Sequence, residues 1–330
     1  MASSDNQVLR VLLSSWLFAG LSAIFLGLRI GCKLKSRRGL WLDDHILIAS
    51  WFALLGSAIM TSVSVPLGLG HHVDDVPVEN LGQIGLFGNV NGTFSILAAA
   101  WSKTSFALTL LRLMWQQKWA RNFLWFAMLS MNILMFGNAL FQWIKCWPVS
   151  KTWNVFESGT CWPAGVQTHY GIFVGGYSAL FDIILAFLPW KLVWSLQMKT
   201  KEKLGVAVAM SLGVFAGVTS IFKTLAIPTL ETADFPFNIC DLIVWGAAES
   251  AVTIIAVSIP VLRIMVKEVK MTIRQKYYGG TTDDTFRTHK GIIRTRTVVV
   301  SSGPKSSAGQ KDADAWEGED GISLKNLPPV

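Results

Sequence analysis

Residues 94–114, which read FSILAAAWSKTSFALTLLRLM, decide the class of fold of this chain. The stretch is mostly apolar and about 20 residues long, which is the length that a helix needs to cross the hydrocarbon core of a membrane. Lys103 nevertheless lies near its middle. Because a lysine that faces lipid at this depth is energetically costly, Lys103 is expected to face other helices or a wet cavity. The stretch therefore predicts a helical bundle in which another helix provides an acidic or carbonyl partner for Lys103.

The composition indicates the same class of protein. The chain has 330 residues, of which 52% are hydrophobic and 15% are charged. Its mean hydropathy is positive, which excludes an ordinary soluble domain. The formal net charge of +8 comes from cations between the apolar runs, so the expected partner is an anionic lipid bilayer surface and not nucleic acid. The four cysteines are too few for a disulfide scaffold and have no zinc-binding spacing.

Seven apolar runs predict seven membrane-spanning helices. The predicted spans lie near residues 8–32, 46–69, 94–114, 123–144, 169–192, 204–228 and 242–265. Basic residues are in excess after the first, third, fifth and seventh spans, and not in the loops between. Because basic residues mark the cytoplasmic side, the N-terminus is expected outside and the C-terminus in the cytoplasm. The predicted fold is an all-α, polytopic bundle of seven transmembrane helices.

The two ends of the chain are predicted to lie outside this bundle. Residues 1–7 are expected to form a short extracellular N-terminus. The first apolar run is too long for a signal-peptide core, so it is interpreted as a retained anchor. Residues 266–330 are predicted to be cytoplasmic, with a basic stretch on the membrane surface followed by a disordered tail rich in Gly, Ser, Thr and mixed charge.

Four charged residues within the predicted spans form the candidate site: Lys103, Asp182, Lys223 and Glu249. Charges within a membrane usually face the interior of a bundle and mark functional sites. One hypothesis is an outward-opening polar pocket in which Glu249 pairs with Lys223 or Lys103 and a small molecule binds. The alternative is a buried ion-pair network that only fixes how the helices pack. The sequence leaves both alternatives open.

The loops that are predicted to face outside contain three further candidates. Cys146 and Cys161 share one such loop, and the oxidising environment there predicts a disulfide between them. The segment 71–75 contains two histidines and two aspartates, but no ligand spacing recurs elsewhere, so a solvated loop without a metal is predicted. Asn91 begins an Asn-Gly-Thr sequon and is a candidate glycosylation site very close to the membrane.

No pattern in the sequence indicates catalysis or a cofactor. A Ser-His-Asp arrangement, a phosphate-binding loop and an HExxH motif are all absent from the sequence. The predicted seventh span contains no lysine, so the Schiff base with retinal that rhodopsins form has no attachment point there. We therefore predict a protein that is not an enzyme and has no catalytic residues and no cofactor.

Several short motifs are each a weak indication of a protein family, but their order and spacing together are more specific. They are Arg29 with Lys33, Asp43-Asp44, Gly68-Leu69-Gly70-His71, Lys103-Thr104-Ser105 with Arg112, Cys146-Trp147-Pro148 with Trp153 and Cys161, Asp182 with Pro189, Asp234, Trp245 with Glu249, and Pro260. Together they resemble the fungal rhodopsin-like seven-helix integral membrane proteins. That family includes surface-sensing receptor-like proteins and the membrane protein of the satratoxin biosynthetic cluster. The chain departs from the pattern at Lys223, where an arginine is expected, and no cysteine-rich domain precedes the first span.

The resemblance and the site residues lead to three functional hypotheses. The first is a receptor-like protein that binds a small molecule on the outside and signals to an intracellular protein; Asp43, Asp44 and Arg112 would form its cytoplasmic-face motif. The second is a membrane accessory of a secondary-metabolite pathway that acts in transport, self-protection or pathway organisation. The third, which the sequence favours least, is a membrane-embedded terpene cyclase with Asp182 and Glu249 as acids. The plasma membrane is the expected location, with an internal membrane as the alternative.

Overall fold

The computed structural model describes residues 2–35, 39–115, 117–154, 157–195, 200–231 and 234–278. These residues contain seven long helices, which are α1 (Ala2–Lys35), α2 (Leu42–Ser64), α3 (Val78–Leu113), α4 (Lys118–Ile144), α5 (Ala164–Ser195), α6 (Thr200–Leu225) and α7 (Phe235–Tyr278). Each of the seven includes a segment that is long and apolar enough to cross a membrane. The predicted all-α, seven-helix membrane fold is therefore confirmed, and the chain is a multi-pass membrane protein.

The helices α3 and α7 lie at the centre of the bundle. In the most apolar part of α7, 78% of the residues are buried, and in that of α3, 56%, compared with 28% in α1, α4 and α6. The helix α7 packs against α1, α3 and α6, and α3 packs against α2 and α4. Because central helices are surrounded by protein, α3 and α7 are the helices on which charged side chains are best sheltered from lipid.

Small residues allow the two central helices to approach each other closely. Ala98 on α3 and Ala247 on α7 are buried in the same apolar core. A Cβ atom on Gly246 would lie only 2.6 Å from Oγ of Ser95 on α3. Small residues at helix contacts are the usual means of close packing in membranes, so the sequence of α7 is suited to a central position.

The helix α3 begins at Val78, well before the predicted start of the third span near residue 94. The additional part of the helix is rich in polar side chains, which led to its assignment as a loop. In the structure one of these polar side chains, Asn91, is buried against α2: it accepts a hydrogen bond from Ser57 and donates one to Thr61 over 2.9 Å. Because such contacts satisfy the amide, the helix continues through a stretch whose polar residues lower its hydropathy.

The first and last helices also extend beyond the predicted spans. The helix α1 begins at Ala2, within the predicted N-terminal tail. The helix α7 continues to Tyr278, through the basic stretch that follows the seventh predicted span. The predicted disordered tail, residues 279–330, lies outside the described residues, as do residues 36–38 and 196–199 of two predicted basic loops.

A short two-stranded sheet and a disulfide lie at one end of the bundle. The strand β1 (Cys146–Trp147) pairs in antiparallel orientation with β2 (Thr160–Cys161), and the predicted disulfide between Cys146 and Cys161 is formed. We call this end of the bundle the disulfide end. The opposite end, where α2 begins beside Asp43, is called the Asp43 end.

The loop between α2 and α3 is held against the start of α7. Gly70, whose φ is 91°, donates its N–H to the carbonyl oxygen of Pro236 over 3.0 Å. The Nδ1 atom of His72 lies 3.4 Å from Oδ2 of Asp234, and the imidazole stacks on Phe237 with 4.5 Å between the ring centres. Within the described part of the chain, no three His, Cys, Asp or Glu side chains are grouped closely enough to hold a metal ion.

Candidate functional site

Four charged side chains, one from each of α3, α5, α6 and α7, meet inside the bundle. The Nζ atom of Lys103 lies 2.7 Å from Oδ2 of Asp182 and 2.5 Å from Oε1 of Glu249. The second carboxylate oxygen of Glu249 lies 2.9 Å from Nζ of Lys223. Glu249 therefore contacts both lysines that the sequence suggested as alternative partners. We call these four residues the Lys103 cluster.

Two serines complete the surroundings of the Lys103 cluster. Ser178 accepts a hydrogen bond from Lys103 and donates one to Oε1 of Glu249 over 3.1 Å. Ser220 accepts a hydrogen bond of 3.3 Å from Lys103 and donates one of 3.0 Å to Asp182. Buried charges need both counter-charges and hydrogen bonds to offset the loss of water. The ammonium group of Lys103 has both, since four oxygen atoms surround it.

Helical spacing explains how the sequence brings these groups together. Ser178 and Asp182 are four residues apart on α5, and Ser220 and Lys223 are three residues apart on α6. Residues at these spacings lie on one face of a helix. Each serine therefore faces the bundle interior together with the charged residue on the same helix, and Glu249 meets them from the central helix α7.

The Lys103 cluster is almost completely shielded. The side chains of Lys103 and Glu249 are 0% exposed, whereas that of Lys223 is 16% exposed. Two cations face two carboxylates, so the ionised cluster has no net charge. Lys223 lies in the last turn of α6, next to the disulfide end, and it is the most exposed member of the cluster.

A second group of charges lies toward the Asp43 end. The Nη2 atom of Arg29 lies 2.6 Å from Oδ2 of Asp43, and its Nε atom lies 2.9 Å from Oδ1 of Asp44. The Nζ atom of Lys33, four residues after Arg29 on α1, lies 2.5 Å from Oδ2 of Asp44. These four buried residues, which we call the Arg29 cluster, are also balanced in charge. They bind α1 to the first turn of α2, where the helix dipole favours carboxylates.

The Arg29 cluster also contacts both central helices. The Nη1 atom of Arg29 donates a hydrogen bond of 2.6 Å to the carbonyl oxygen of Val257 on α7. Pro260 lies within the next turn of α7 and has no N–H, so the turn before it has one helical hydrogen bond fewer. On α3, Oγ of Ser105 donates to the carbonyl oxygen of Asp43 over 2.7 Å. The cluster thus supports α7 beside its proline and fixes the start of α2 on α3.

The two clusters are connected through α3 and α7. The helix α3 contributes Lys103 to one cluster and Ser105 to the other. The helix α7 contributes the side chain of Glu249 to one and the carbonyl oxygen of Val257 to the other. Glu249 and Val257 are about 12 Å apart along the helix axis. A displacement of either central helix would therefore change contacts in both clusters.

The predicted cytoplasmic-face motif is divided in the structure. Its two aspartates belong to the Arg29 cluster, whereas Arg112 is exposed and its guanidinium lies 4.1 Å from the ring centre of Trp41. Sequence reasoning did not place Arg29 and Lys33 in the site. Arg29 lies near the end of the first predicted span, so its charge was a weaker signal than that of Lys103 near the middle of the third span.

The candidate glycosylation site at Asn91 is buried between α2 and α3. Asn91 is 3% exposed, and its amide group is bonded to Ser57 and Thr61 on α2. A glycosylated asparagine must present its amide nitrogen on the surface, because the attached sugar is bulky and hydrated. The sequon at this position is therefore part of the helix-packing surface between α2 and α3.

Two surface depressions lie away from both clusters. One has a volume of about 590 Å³ and is bounded by α2, α3 and α4. The other, of about 660 Å³, lies between α4 and α5 near the disulfide end. Neither is lined by a member of the Lys103 cluster or of the Arg29 cluster. Apart from the partly exposed Lys223, the side chains of the Lys103 cluster are enclosed by protein.

The chain is similar to a known protein domain and to several individual proteins. Residues 28–268 match the fungal rhodopsin domain. The chain is 27% identical over 131 residues to fugralins biosynthesis cluster protein 2 of Gibberella zeae, with 38% of this chain and 33% of that protein covered. It is 25% identical over 169 residues to a SAT4 family membrane protein of Emericella nidulans, with 50% and 43% covered. It is 23% identical over 189 residues to satratoxin biosynthesis SC1 cluster protein 4 of Stachybotrys chartarum, with 55% and 68% covered.

The matches to the first two relatives are partial, since the chain spans only 33% and 43% of their lengths. The match to the domain covers most of the described bundle. It runs from just before Arg29 on α1 to beyond Val257 on α7 and thus includes both charge clusters. The chain belongs to the fungal rhodopsin domain family.

Proposed function

We propose that the chain is a receptor-like protein in which a small molecule, bound at the disulfide end, changes the packing of α3 and α7. In this proposal the disulfide end lies outside the cell and the Asp43 end lies in the cytoplasm, as the basic loops indicate. The observation that carries the proposal is the pair of charge-balanced clusters joined by the two central helices. A rearrangement in one cluster would be transmitted to the other, about 12 Å away.

The Lys103 cluster provides contacts that can differ between two packings. A ligand shifts a conformational equilibrium only if it interacts differently with the two states. Lys223 is partly exposed and is one of the two cations that contact Glu249. An acidic group of a ligand that paired with Lys223 would leave Glu249 with Lys103 alone. The ion pairs would then redistribute among α3, α5 and α7.

The Arg29 cluster provides the response at the opposite end. Arg29 connects α1 to the first turn of α2 and, through the Val257 carbonyl, to α7 beside Pro260. A shift of α7 would change this contact and the position of the α2 N-terminus. An intracellular signalling protein could recognise that change at the cytoplasmic face, where Arg112 is exposed.

We further propose that the chain is not an enzyme. A terpene cyclase of the kind considered above needs a carboxyl group placed to give a proton to its substrate. Asp182 lies 2.7 Å from the Lys103 ammonium, and Glu249 lies within 2.9 Å of two ammonium groups. Both carboxylates therefore act as acceptors for buried cations. Formation of a cyclic product from an isoprenoid diphosphate by the purified protein would contradict this proposal.

A second candidate function is that of a membrane accessory in a secondary-metabolite pathway. The observation that favours it is that two relatives carry the names of the fugralins and satratoxin biosynthesis clusters. Transport, self-protection or organisation of pathway enzymes would each fit a multi-pass membrane protein. A gene located beside a polyketide, terpene or peptide synthase would support this function.

The two candidates are separated by comparing strains of the source organism that contain the wild-type gene, a deletion, Lys223→Met or Ser250→Ala. Ser250 is buried beside Glu249, and its hydroxyl has no hydrogen-bond partner among the described residues, so Ser250→Ala is a matched control. The receptor proposal predicts that Lys223→Met reproduces the transcriptional effect of the deletion at unchanged abundance in the membrane, whereas Ser250→Ala resembles the wild type.

Other outcomes of this comparison count against the receptor proposal. A deletion that alters only the export of a metabolite, or the tolerance to it, favours the accessory function. A Lys223→Met strain that matches the wild type in transcription and metabolite profile, while the deletion does not, contradicts a role of the Lys103 cluster in signalling.

A further inference from the structure

The groove between α2, α3 and α4 faces lipid and has aromatic walls. Its volume is about 590 Å³, and its lining includes Trp101, Trp125, Phe126 and Leu129. Trp125, Phe126 and Leu129 are 50%, 70% and 62% exposed, so this part of α4 is on the outside of the bundle. The volume lies within the range of about 300–1,000 Å³ that is typical of small-molecule sites.

The groove also contains an amide group whose oxygen atom has no hydrogen-bond partner in the part of the chain that the structure describes. Nδ2 of Asn132 donates hydrogen bonds to Oγ1 of Thr104 over 2.9 Å and to the carbonyl oxygen of Met128 over 2.8 Å. The Met128 carbonyl can only accept, so the nitrogen of the amide must face it. Thr104 uses its own hydrogen to donate to Ala100. Thr104 therefore cannot donate to the amide, and no other described residue forms a hydrogen bond to Oδ1 of Asn132.

The position of Asn132 makes this free acceptor unusual. Asn132 lies near the middle of α4, with between three and four helical turns on either side. Phospholipids keep their polar groups at the two surfaces of the bilayer, whereas the hydrocarbon core between them is about 30 Å thick. An acyl chain can fill the groove but provides no hydrogen-bond donor at this depth. An unpaired polar group in hydrocarbon is costly, so the amide oxygen indicates an occupant that brings a donor with it.

We propose that this groove binds a compact, uncharged and largely apolar molecule with one hydroxyl group, which donates a hydrogen bond to Oδ1 of Asn132. Its apolar rings would pack against Trp101, Trp125 and Phe126. The molecule would enter sideways from the bilayer. The site is distinct from the Lys103 cluster, where the proposed receptor function places its ligand, and thus goes beyond that function.

A matched pair of probes tests the proposal on the full chain in phosphatidylcholine nanodiscs. The probes are a photoactivatable decalin alcohol and its methyl ether, which has nearly the same shape but no hydrogen to donate. The site predicts cross-links to the α4 peptide that contains residues 125–132. It also predicts that the alcohol binds about three- to tenfold more tightly than the ether, the effect of one hydrogen bond.

Two substitutions and one control substitution locate the interaction. Asn132→Leu removes the acceptor at nearly constant size and should abolish the preference for the alcohol. Leu129→Trp should fill the groove and block both probes, whereas Leu140→Trp, at an exposed position further along α4, should block neither. If Asn132→Leu does not fold, two comparisons still test the proposal. One compares the two probes on the wild-type protein, and the other compares Leu129→Trp with Leu140→Trp.

Three results would overturn the proposal. The first is equal binding of the alcohol and the ether to the wild-type protein. The second is a preference for the alcohol that persists in Asn132→Leu. The third is labelling spread evenly over the lipid-facing helices, which would mean that the groove holds ordinary acyl chains only.

Discussion

Replacement of Glu249 by glutamine tests whether the Lys103 cluster is a charge-balanced unit. Glu249→Gln keeps the size of the side chain and its ability to form hydrogen bonds, but removes one negative charge. Lys103 would keep the carboxylate of Asp182, whereas Lys223 would lose the carboxylate that it contacts. The folded protein would hold an uncompensated positive charge within the membrane, which the bilayer interior disfavours strongly.

The expected decrease in the free energy of unfolding is about 3–5 kcal/mol, which is the usual cost of removing one partner from a buried ion pair. Lys223→Gln should cost less, about 1–3 kcal/mol, because its side chain is 16% exposed. In the variant with both substitutions, Lys103 and Asp182 remain as a neutral pair. The loss in this variant should therefore be smaller than the sum of the two single losses, by a coupling energy of about 0.5–3 kcal/mol.

The measurement is unfolding of the purified protein by titration with a denaturing detergent, with tryptophan fluorescence as the signal. Ser250→Ala is the control, since it changes the next residue on α7 without removing a hydrogen bond or a charge. It should cause no loss of stability, because an unpartnered hydroxyl contributes none.

Two results would refute this reasoning. If the losses from Glu249→Gln and Lys223→Gln simply add in the double variant, the two side chains do not compensate each other. If Glu249→Gln is as stable as the control, the buried charges do not determine how α3, α5, α6 and α7 pack.

Three further predictions use the same unfolding assay. Arg29→Lys should lower the free energy of unfolding by about 1–3 kcal/mol, because an ammonium cannot reproduce the guanidinium fork that reaches both aspartates and the Val257 carbonyl; unchanged stability would contradict that role. Cys146→Ser should cost about 3 kcal/mol, as expected for a closed loop of about 15 residues, and adding Cys161→Ser should cost little more, whereas additive losses would mean that no disulfide forms. Intact mass should show no glycan on the wild-type chain, and Asn91→Ala should cost about 1–3 kcal/mol through two lost hydrogen bonds; a glycosylated Asn91 would contradict its burial.

The sequence made the members of the Lys103 cluster easy to recognise but not their pairing. Lys103, Asp182, Lys223 and Glu249 are charges in long apolar runs, and the cost of exposing them to lipid predicts that they face the interior. Whether Glu249 would contact Lys103 or Lys223 could not be predicted, since the answer depends on the packing of four helices. In the structure it contacts both.

Other features could not be predicted from the sequence because they depend on tertiary contacts. The start of α3 could not be predicted from hydropathy, because Asn91 lowers the hydropathy of a stretch whose amide is satisfied only by Ser57 and Thr61 on α2. Arg29 lies near the end of its predicted span, where basic side chains commonly extend to the membrane surface. Its inward direction follows from the aspartates of α2 and the Val257 carbonyl of α7, which no local pattern reveals.

The most direct test of a seven-span bundle that shelters these charges is the sidedness of the chain termini. An epitope tag at each end of the full chain would be detected in intact cells and in cells whose plasma membrane has been opened. Seven spans predict that the two tags lie on opposite sides of the membrane. With the orientation that the basic loops indicate, and in the plasma membrane, the N-terminal tag is accessible from outside and the C-terminal tag only after permeabilisation. Two tags on the same side of the membrane would contradict the bundle and both of its charge clusters.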